Sequence, residues 1–146
     1  QRRYWRSILE GAEIECIYSE QAVTAKNFSL DHFLPWSFVA HNSLWNLVPI
    51  PSSVNSSKSN RIPDLVYLDR FIQIQHHGIL EARKKMPAKA WTKHMQSYLV
   101  DLKFLNFEEI IDFDSFKARY ESQFKPLVAL AESQGFEGNW RYKQVG

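Results

Sequence analysis

The chain has 146 residues, of which 45% are hydrophobic and 23% charged, and its formal net charge is +2. These values are typical of a globular protein and exclude a wholly disordered chain. No apolar run approaches the roughly 18 residues that a membrane helix needs, and a single cysteine, Cys16, excludes an intrachain disulfide. We therefore predict a cytoplasmic protein without a membrane partner. Because the sequence starts with Gln1 and not with methionine, we expect it to be a piece of a longer protein.

Short elements are predicted for the first 63 residues. The apolar pattern and the punctuation by Gly, Pro and Ser favour a helix over Arg2–Leu9, strands over Ile14–Tyr18, Phe28–Phe33 and Leu47–Ile50, and a short helix over Ser53–Ser59.

After Pro63 the pattern becomes helical. Apolar residues at three- and four-residue spacing form three stripes, over 65–79, 91–105 and 116–130, and the third is expected to be kinked or split at Pro126. The two parts together predict an α+β fold, with 1–63 as a compact core and 64–146 as a helical extension packed on it.

Four polar residues in the first part suggest a chemistry. Asp31 and His32 are adjacent on a predicted strand, and Asn55 and Lys58 share one face of the short helix. Carboxylate and amide oxygens suit Mg²⁺ or Mn²⁺, a neutral histidine can take a proton from water, and a lysine can bind a phosphate. These parts match metal-assisted phosphodiester hydrolysis, although each residue taken singly is more often an ordinary surface group.

Three sequence segments together carry a more specific pattern. Leu30–Ser37 (LDHFLPWS), Trp45–Pro49 (WNLVP) and Asn55–Ser59 (NSSKS) closely resemble the HNH endonuclease family, with the three name-giving positions at His32, Asn46 and Asn55. The resemblance covers residues 14–63, with the motif in 30–60. It implies a ββα-metal core, followed here by a small helical subdomain.

The resemblance also implies a role for each motif residue. His32 would be the general base, and Asp31 and Asn55 would coordinate one Mg²⁺ or Mn²⁺ ion. Asn46 would pin the loop between the strands and so orient His32. Lys58 matches a position that often contacts phosphate in the family, and its alternative is a helix-surface charge.

Many HNH relatives carry a zinc knuckle of four cysteines, and the corresponding positions here are Cys16, Ser19, Pro51 and Val54. A single thiol does not supply a tetrahedral zinc site, so we expect no structural zinc. We expect apolar packing that involves Cys16, Ile17 and Val54 in its place.

One segment of the helical part is strongly basic. Between Ala82 and Val100 the sequence has no acidic residue and five basic residues, which are Arg83, Lys84, Lys85, Lys89 and Lys93. This pattern fits a surface that binds the DNA backbone, and a solvated helix surface is the alternative.

Three aromatic residues flank the motif, namely Trp36, Phe38 and Trp45. They could stack on or wedge between bases, but aromatic residues so close to a small core more often belong to it, and we favour that interpretation.

The function implied is a divalent-metal-dependent endonuclease that hydrolyses double-stranded or nicked DNA with little sequence selectivity. Sequence recognition would then come from the parent protein, which could be a bacterial restriction, defence or CRISPR-associated effector. Two alternatives remain open at this point. One is a nucleic-acid-binding module that keeps the fold without catalysis, and the other is an RNase.

Overall fold

The computed structural model describes residues 1–143, so the last three residues of the predicted helical extension lie outside the described part. The α+β class predicted from the sequence is confirmed. In chain order the elements are α1 (Arg2–Gly11), β1 (Ile14–Glu15), β2 (Ala22–Val23), β3 (Ser29–His32), α2 (Trp36–Val39), β4 (Leu47–Ile50), α3 (Ser52–Lys58), α4 (Leu68–Lys85), α5 (Ala88–Asp101), α6 (Phe107–Ile111) and α7 (Phe113–Ser133).

Strands β3 and β4 and helix α3 form the strand–strand–helix unit that the resemblance implies. The two strands pair antiparallel, with Asp31 opposite Val48 and His32 opposite Leu47. All four residues of β4 are buried, and α3 follows directly after Pro51, which lies in the extended conformation at the helix N-terminus. The pairing of β3 with β4 therefore places the end of β3 beside α3.

The predicted strand Ile14–Tyr18 is shorter than expected. Only Ile14 and Glu15 are in strand β1, and they pair antiparallel with β2, which the sequence patterns did not reveal. The chain turns between them, because the Cys16 amide donates to the Gln21 carbonyl and the Cys16 carbonyl accepts from the Glu20 amide. Cys16, Ile17 and Tyr18 are buried within this turn, so the apolar run reflects burial and not a longer strand.

The three helical stripes correspond to long helices with small changes at their ends. The first stripe begins with a 3-10 turn, Leu65–Tyr67, in which Asp64 Oδ1 accepts from the Val66 amide. Helix α7 passes through Pro126 without being split and ends at Ser133. Gly135, with φ +99°, supplies the left-handed residue after that helix, and the next amide bonds back to Ala131.

Side chains from the helices hold the loop that joins β3 and β4. Gln75 Nε2 of α4 donates to the carbonyls of Leu44 and Leu47, at 3.0 and 2.7 Å, and its Oε1 accepts from the Tyr98 hydroxyl. The Tyr120 hydroxyl of α7 donates to the Trp45 carbonyl. Because an isolated two-stranded pair is marginal in water, these contacts are a major support for the motif.

The first and last parts of the described chain pack on the same core. Trp5 of α1 lies so close to Gly78 of α4 that an added Cβ would be 2.8 Å from its ring. The Trp140 amide donates to the Ile62 carbonyl, and the Asp64 amide donates to the Trp140 carbonyl. The predicted division at residues 63 and 64 remains a prediction. Within residues 1–143, no helix combines the length and the apolar character needed to cross a membrane.

Candidate active site

A small pocket lies where the end of β3 meets α3. It has a volume of about 200 Å³, and it brings together three of the residues singled out from the sequence, Asp31, His32 and Asn55. The other residues that line it are Leu30, Pro35, Trp36, Ser59 and Asn60. Asp31 and His32 line the same pocket although they are neighbours on a strand. A carboxylate, an imidazole and an amide therefore face one space that can hold a small polar group.

The Asp31 carboxylate is 2% exposed and each of its oxygens has a partner. Lys58 Nζ lies 3.0 Å from Oδ1, and the Tyr18 hydroxyl donates to Oδ2 at 2.8 Å. Burial, together with the negative charge of Asp31, raises the pKa of the Tyr18 hydroxyl well above its ordinary value. Tyr18 therefore keeps its proton and remains a donor, and the position of the carboxylate is fixed from both sides.

Lys58 is neither the phosphate-contacting residue nor the helix-surface charge that the sequence suggested. Its side chain is 1% exposed, so it is not a helix-surface charge. The ammonium group is bonded to Asp31 and donates at 2.7 Å to the His32 carbonyl, which leaves it no accessible position for a phosphate. Its burial follows from the need to neutralise a buried carboxylate, a requirement that residue spacing does not reveal. Lys58 connects α3 to both Asp31 and His32.

His32 is half-buried, and its ring is oriented by a residue from the loop after α2. Its Nε2 lies 2.8 Å from Asn42 Oδ1. A carbonyl oxygen can only accept, so Nε2 carries the hydrogen in this arrangement. In a neutral imidazole the lone pair is then on Nδ1, which is the nitrogen available to accept a proton.

Asn46 is completely buried, at 0% exposure, in the loop between the strands. Its Oδ1 accepts from the Leu34 amide and its Nδ2 donates to the Leu34 carbonyl, both at 2.9 Å. The Asn46 carbonyl accepts from the Phe33 amide. These three bonds join the loop to the two residues that follow His32, and the Asn46 side chain does not line the pocket.

The donors in the pocket suit a hard divalent ion. Asp31 offers a carboxylate, and the half-buried Asn55 offers an amide oxygen from the opposite element. Within residues 1–143, no three His, Cys, Asp or Glu side chains converge on one point. One carboxylate with amide oxygens and water is a donor set that Mg²⁺ or Mn²⁺ accepts, because Mg²⁺ usually keeps several waters. These residues fit one such ion.

Comparison with protein families gives an independent result for this part of the chain. A family model described as HNH endonuclease matches residues 16–64. This segment belongs to the HNH endonuclease family. The comparisons with curated proteins and with solved structures gave no match. HNH nucleases generally use a divalent metal and act on nucleic acid, so the family assignment and the donor set of the pocket point in the same direction.

Two of the four knuckle positions, Cys16 and Val54, lie in the hydrophobic core together with the neighbouring Ile17. Cys16, Ile17 and Val54 are 1%, 2% and 0% exposed, as expected for apolar packing there. Cys16 Sγ accepts from the Ser19 amide at 3.4 Å. Tyr18, in the same turn, reaches Asp31 directly, and its ring packs edge-on against Tyr67 and Trp140.

The aromatic residues of the HNH segment do not all belong to the core. Trp45 is 3% exposed and donates from Nε1 to Asp101, and Phe38 is half-buried against the core. Trp36 is 53% exposed, and it lines the pocket. The interpretation that favoured the core is correct for Trp45 and wrong for Trp36, because Trp36 begins α2 on the side facing the pocket rim.

Three contributors to the site were missed or misjudged in the sequence. Tyr18 lies next to a knuckle position, and the sequence pattern there indicates packing but does not reveal the bond from its hydroxyl to Asp31. Asn42 is in a loop without regular spacing, and no sequence signal pairs it with His32. The sequence pattern allows Trp36 to stack on a base but does not reveal its exposure. The five basic residues 83, 84, 85, 89 and 93 lie on α4 and α5 and not in the pocket.

The buried ion pair leads to a prediction about stability. Lys58→Met should lower the free energy of unfolding by about 3–5 kcal/mol, because it leaves Asp31 buried without its cation. Lys84→Met removes a lysine that is 72% exposed and paired with Glu81, and it should change stability by less than about 0.5 kcal/mol. Urea unfolding of both variants measures the difference. Adding Asp31→Asn to Lys58→Met should recover part of the loss. Equal costs for the two lysine variants would contradict the structural role of Lys58.

Proposed function

We propose that the chain is a divalent-metal-dependent endonuclease that hydrolyses phosphodiester bonds of DNA. The observation that carries the proposal is the single pocket that Asp31, His32 and Asn55 line within an HNH segment. Each of the three supplies a different part of the chemistry, and a module that only binds DNA has no need for all of them together.

His32 is proposed as the general base. With Nε2 engaged by Asn42, Nδ1 is free to take a proton from a water molecule. The oxygen of that water then bonds to phosphorus while the bond from phosphorus to the 3′ oxygen breaks. Asn42 holds the ring in the required tautomer. Lys58 fixes the His32 carbonyl, and Asn46 fixes the backbone of the two residues that follow.

Asp31 and Asn55 are proposed to hold one Mg²⁺ or Mn²⁺ ion. When bound, such an ion neutralises charge on the scissile phosphate and stabilises the leaving oxygen. Tyr18 and Lys58 are positioning residues for this role, because they fix the carboxylate.

The basic helical face, defined as Arg83, Lys84, Lys85, Lys89 and Lys93, is proposed to contact the DNA backbone. All five side chains are exposed. Lys93 also lines a groove of about 480 Å³ together with His94 and Asn42, and Asn42 is the residue that orients His32. One residue of the basic helical face and the residue that orients His32 therefore line the same groove. Contacts of this kind position DNA without reading its sequence.

Recognition of a particular target is proposed to belong to the rest of a longer parent protein. Such a nuclease module fits a bacterial restriction or defence system, including a CRISPR-associated effector. The proposed setting is the cytoplasm.

Replacement of the base tests the proposed chemistry. His32→Ala should reduce plasmid nicking by about 10²–10⁴-fold while the affinity for Mn²⁺ and for DNA stays close to that of the wild type. His77→Ala is the matched control, since His77 is an exposed histidine of α4, and it should nick at the wild-type rate. EDTA should stop the wild-type reaction, and Mg²⁺ or Mn²⁺ should restore it.

Each other outcome of the nicking experiment excludes part of the proposal. Wild-type rates in His32→Ala would overturn the assignment of the base. Cleavage in EDTA would overturn the metal dependence. Cleavage of RNA alone would replace the DNase with an RNase. DNA binding without cleavage under any metal would favour a non-catalytic module.

The salt dependence of DNA affinity tests the basic helical face. Replacing Lys84, Lys89 and Lys93 with Gln should flatten the slope of log affinity against log salt by up to about three units, because each phosphate contact contributes about 0.9. Affinity for all duplex sequences should fall equally. A control with Gln at Lys117 and Lys125 of α7 should keep the wild-type slope. An unchanged slope in the triple variant would show that the face is only a solvated surface.

A further inference from the structure

Trp36 is the tryptophan of the chain that is open to solvent. It is 53% exposed, whereas Trp5, Trp45, Trp91 and Trp140 are between 1% and 6% exposed. Among the exposed large hydrophobic residues in the described part of the chain, Trp36 is the aromatic one, and the others are Leu65, Val66, Val100, Leu105 and Leu130. Burial of the large apolar surface of a tryptophan is favourable, so an exposed tryptophan often indicates a binding surface.

The location of Trp36 indicates what it could bind. Its side chain lines the same pocket as Asp31, His32 and Asn55. The helix that carries it is anchored to the core, because Phe38 and Val39 pack there and Phe38 lies edge-on to Phe136 at 5.8 Å between ring centroids. Trp36 therefore places a flat apolar ring at the rim of a pocket that is lined by polar residues, on a helix that is anchored to the core.

We propose that Trp36 stacks on a nucleobase next to the scissile phosphate, and that the site therefore favours nucleic acid with an unpaired base at the cleavage point. This inference rests on the proposed function. A base is separated from its phosphate by one sugar, so a residue at the rim of a phosphate-cleaving pocket is placed to meet the adjoining base.

The preference for an unpaired base follows from stacking. Within a duplex, both faces of each base are covered by its neighbours, and a base offers a free face only when it is single-stranded, unpaired or extruded. Single strands and duplexes with a mismatch or a flap at the cleavage point meet this condition. Stacking tolerates all four bases, because every base has a π-face, so Trp36 would select the structure of the DNA and not its sequence.

The fluorescence of the wild-type protein in EDTA gives a direct test, since no cleavage is expected without metal. Trp36 should account for most of the quenching by acrylamide, and Trp36→Phe should remove that component, because the other four tryptophans are buried. A saturating single-stranded thymidine oligonucleotide should protect Trp36 from acrylamide. A fully paired duplex of the same length should protect it less.

Affinities of the variants provide the second readout. Trp36→Ala should weaken binding of the single strand by about 5- to 100-fold, and Trp36→Phe should restore most of it, because a phenyl ring also stacks. Binding of the paired duplex should change less. Leu105→Ala is the control for losing an exposed hydrophobic side chain, because Leu105 is 76% exposed and does not line the pocket, and it should bind both substrates normally.

Two results would overturn the inference. One is a single strand that binds at saturation while Trp36 remains open to acrylamide, which would leave the ring free for a segment of another protein. The other is a Trp36→Ala variant that binds the single strand as tightly as the wild type. Both can occur while the wild type still nicks plasmid in Mg²⁺, so failure of this inference is distinguishable from failure of the proposed nuclease function.

Discussion

The negative charge of Asp31 is the constraint on which the candidate site depends. A carboxylate that is 2% exposed is stable only when it is paired and hydrogen-bonded, and here Lys58 and Tyr18 each bond to one of its oxygens. The two partners come from different elements, since Tyr18 lies in the turn between β1 and β2 and Lys58 ends α3. One charge therefore joins three segments of the HNH part. Lys58 extends the connection to the His32 carbonyl, so the same ammonium group positions both adjacent residues.

The helical part completes the site by holding what the two short strands cannot hold alone. Gln75 and Tyr120 satisfy three carbonyls in and beside the loop between the strands, and both side chains are buried. Buried carbonyls without partners are costly, so the loop geometry depends on helices far along the chain. Trp140 adds a further link, because it packs edge-on against Tyr18 and is hydrogen-bonded through its backbone to Ile62. A substitution in the helical part can therefore alter the position of Asp31 without contacting it directly.

The sequence predicted the parts of this structure that depend on local pattern. Strand β4 and helix α3 followed from an apolar run and from Pro51, and their bounds agree closely with the prediction. The α+β class and the family of residues 16–64 also followed, since motif spacing is a local property. Strand β2 has two residues, and helix α6 has five, and both are too short for a periodic signal.

The remaining features depend on three-dimensional neighbours. Lys58 looked like a surface residue because lysine is rarely buried, and its burial became evident only with Asp31 beside it. Composition could not distinguish Trp36 from Trp45, since both flank the motif and only the packing of α2 exposes one of them. Asn42 was not identified because a loop residue that bonds to His32 across ten positions has no recurring spacing.

The most direct test of the central claim is to locate the divalent ion. Crystals of the wild-type protein soaked in Mn²⁺, with data collected at the manganese absorption edge, would show the ion as an anomalous difference peak. The account predicts a peak in the pocket that His32 also lines, about 2.0–2.3 Å from an Asp31 carboxylate oxygen and from the Asn55 amide oxygen. A peak held by other residues, or no peak in this pocket at saturating Mn²⁺, would contradict it.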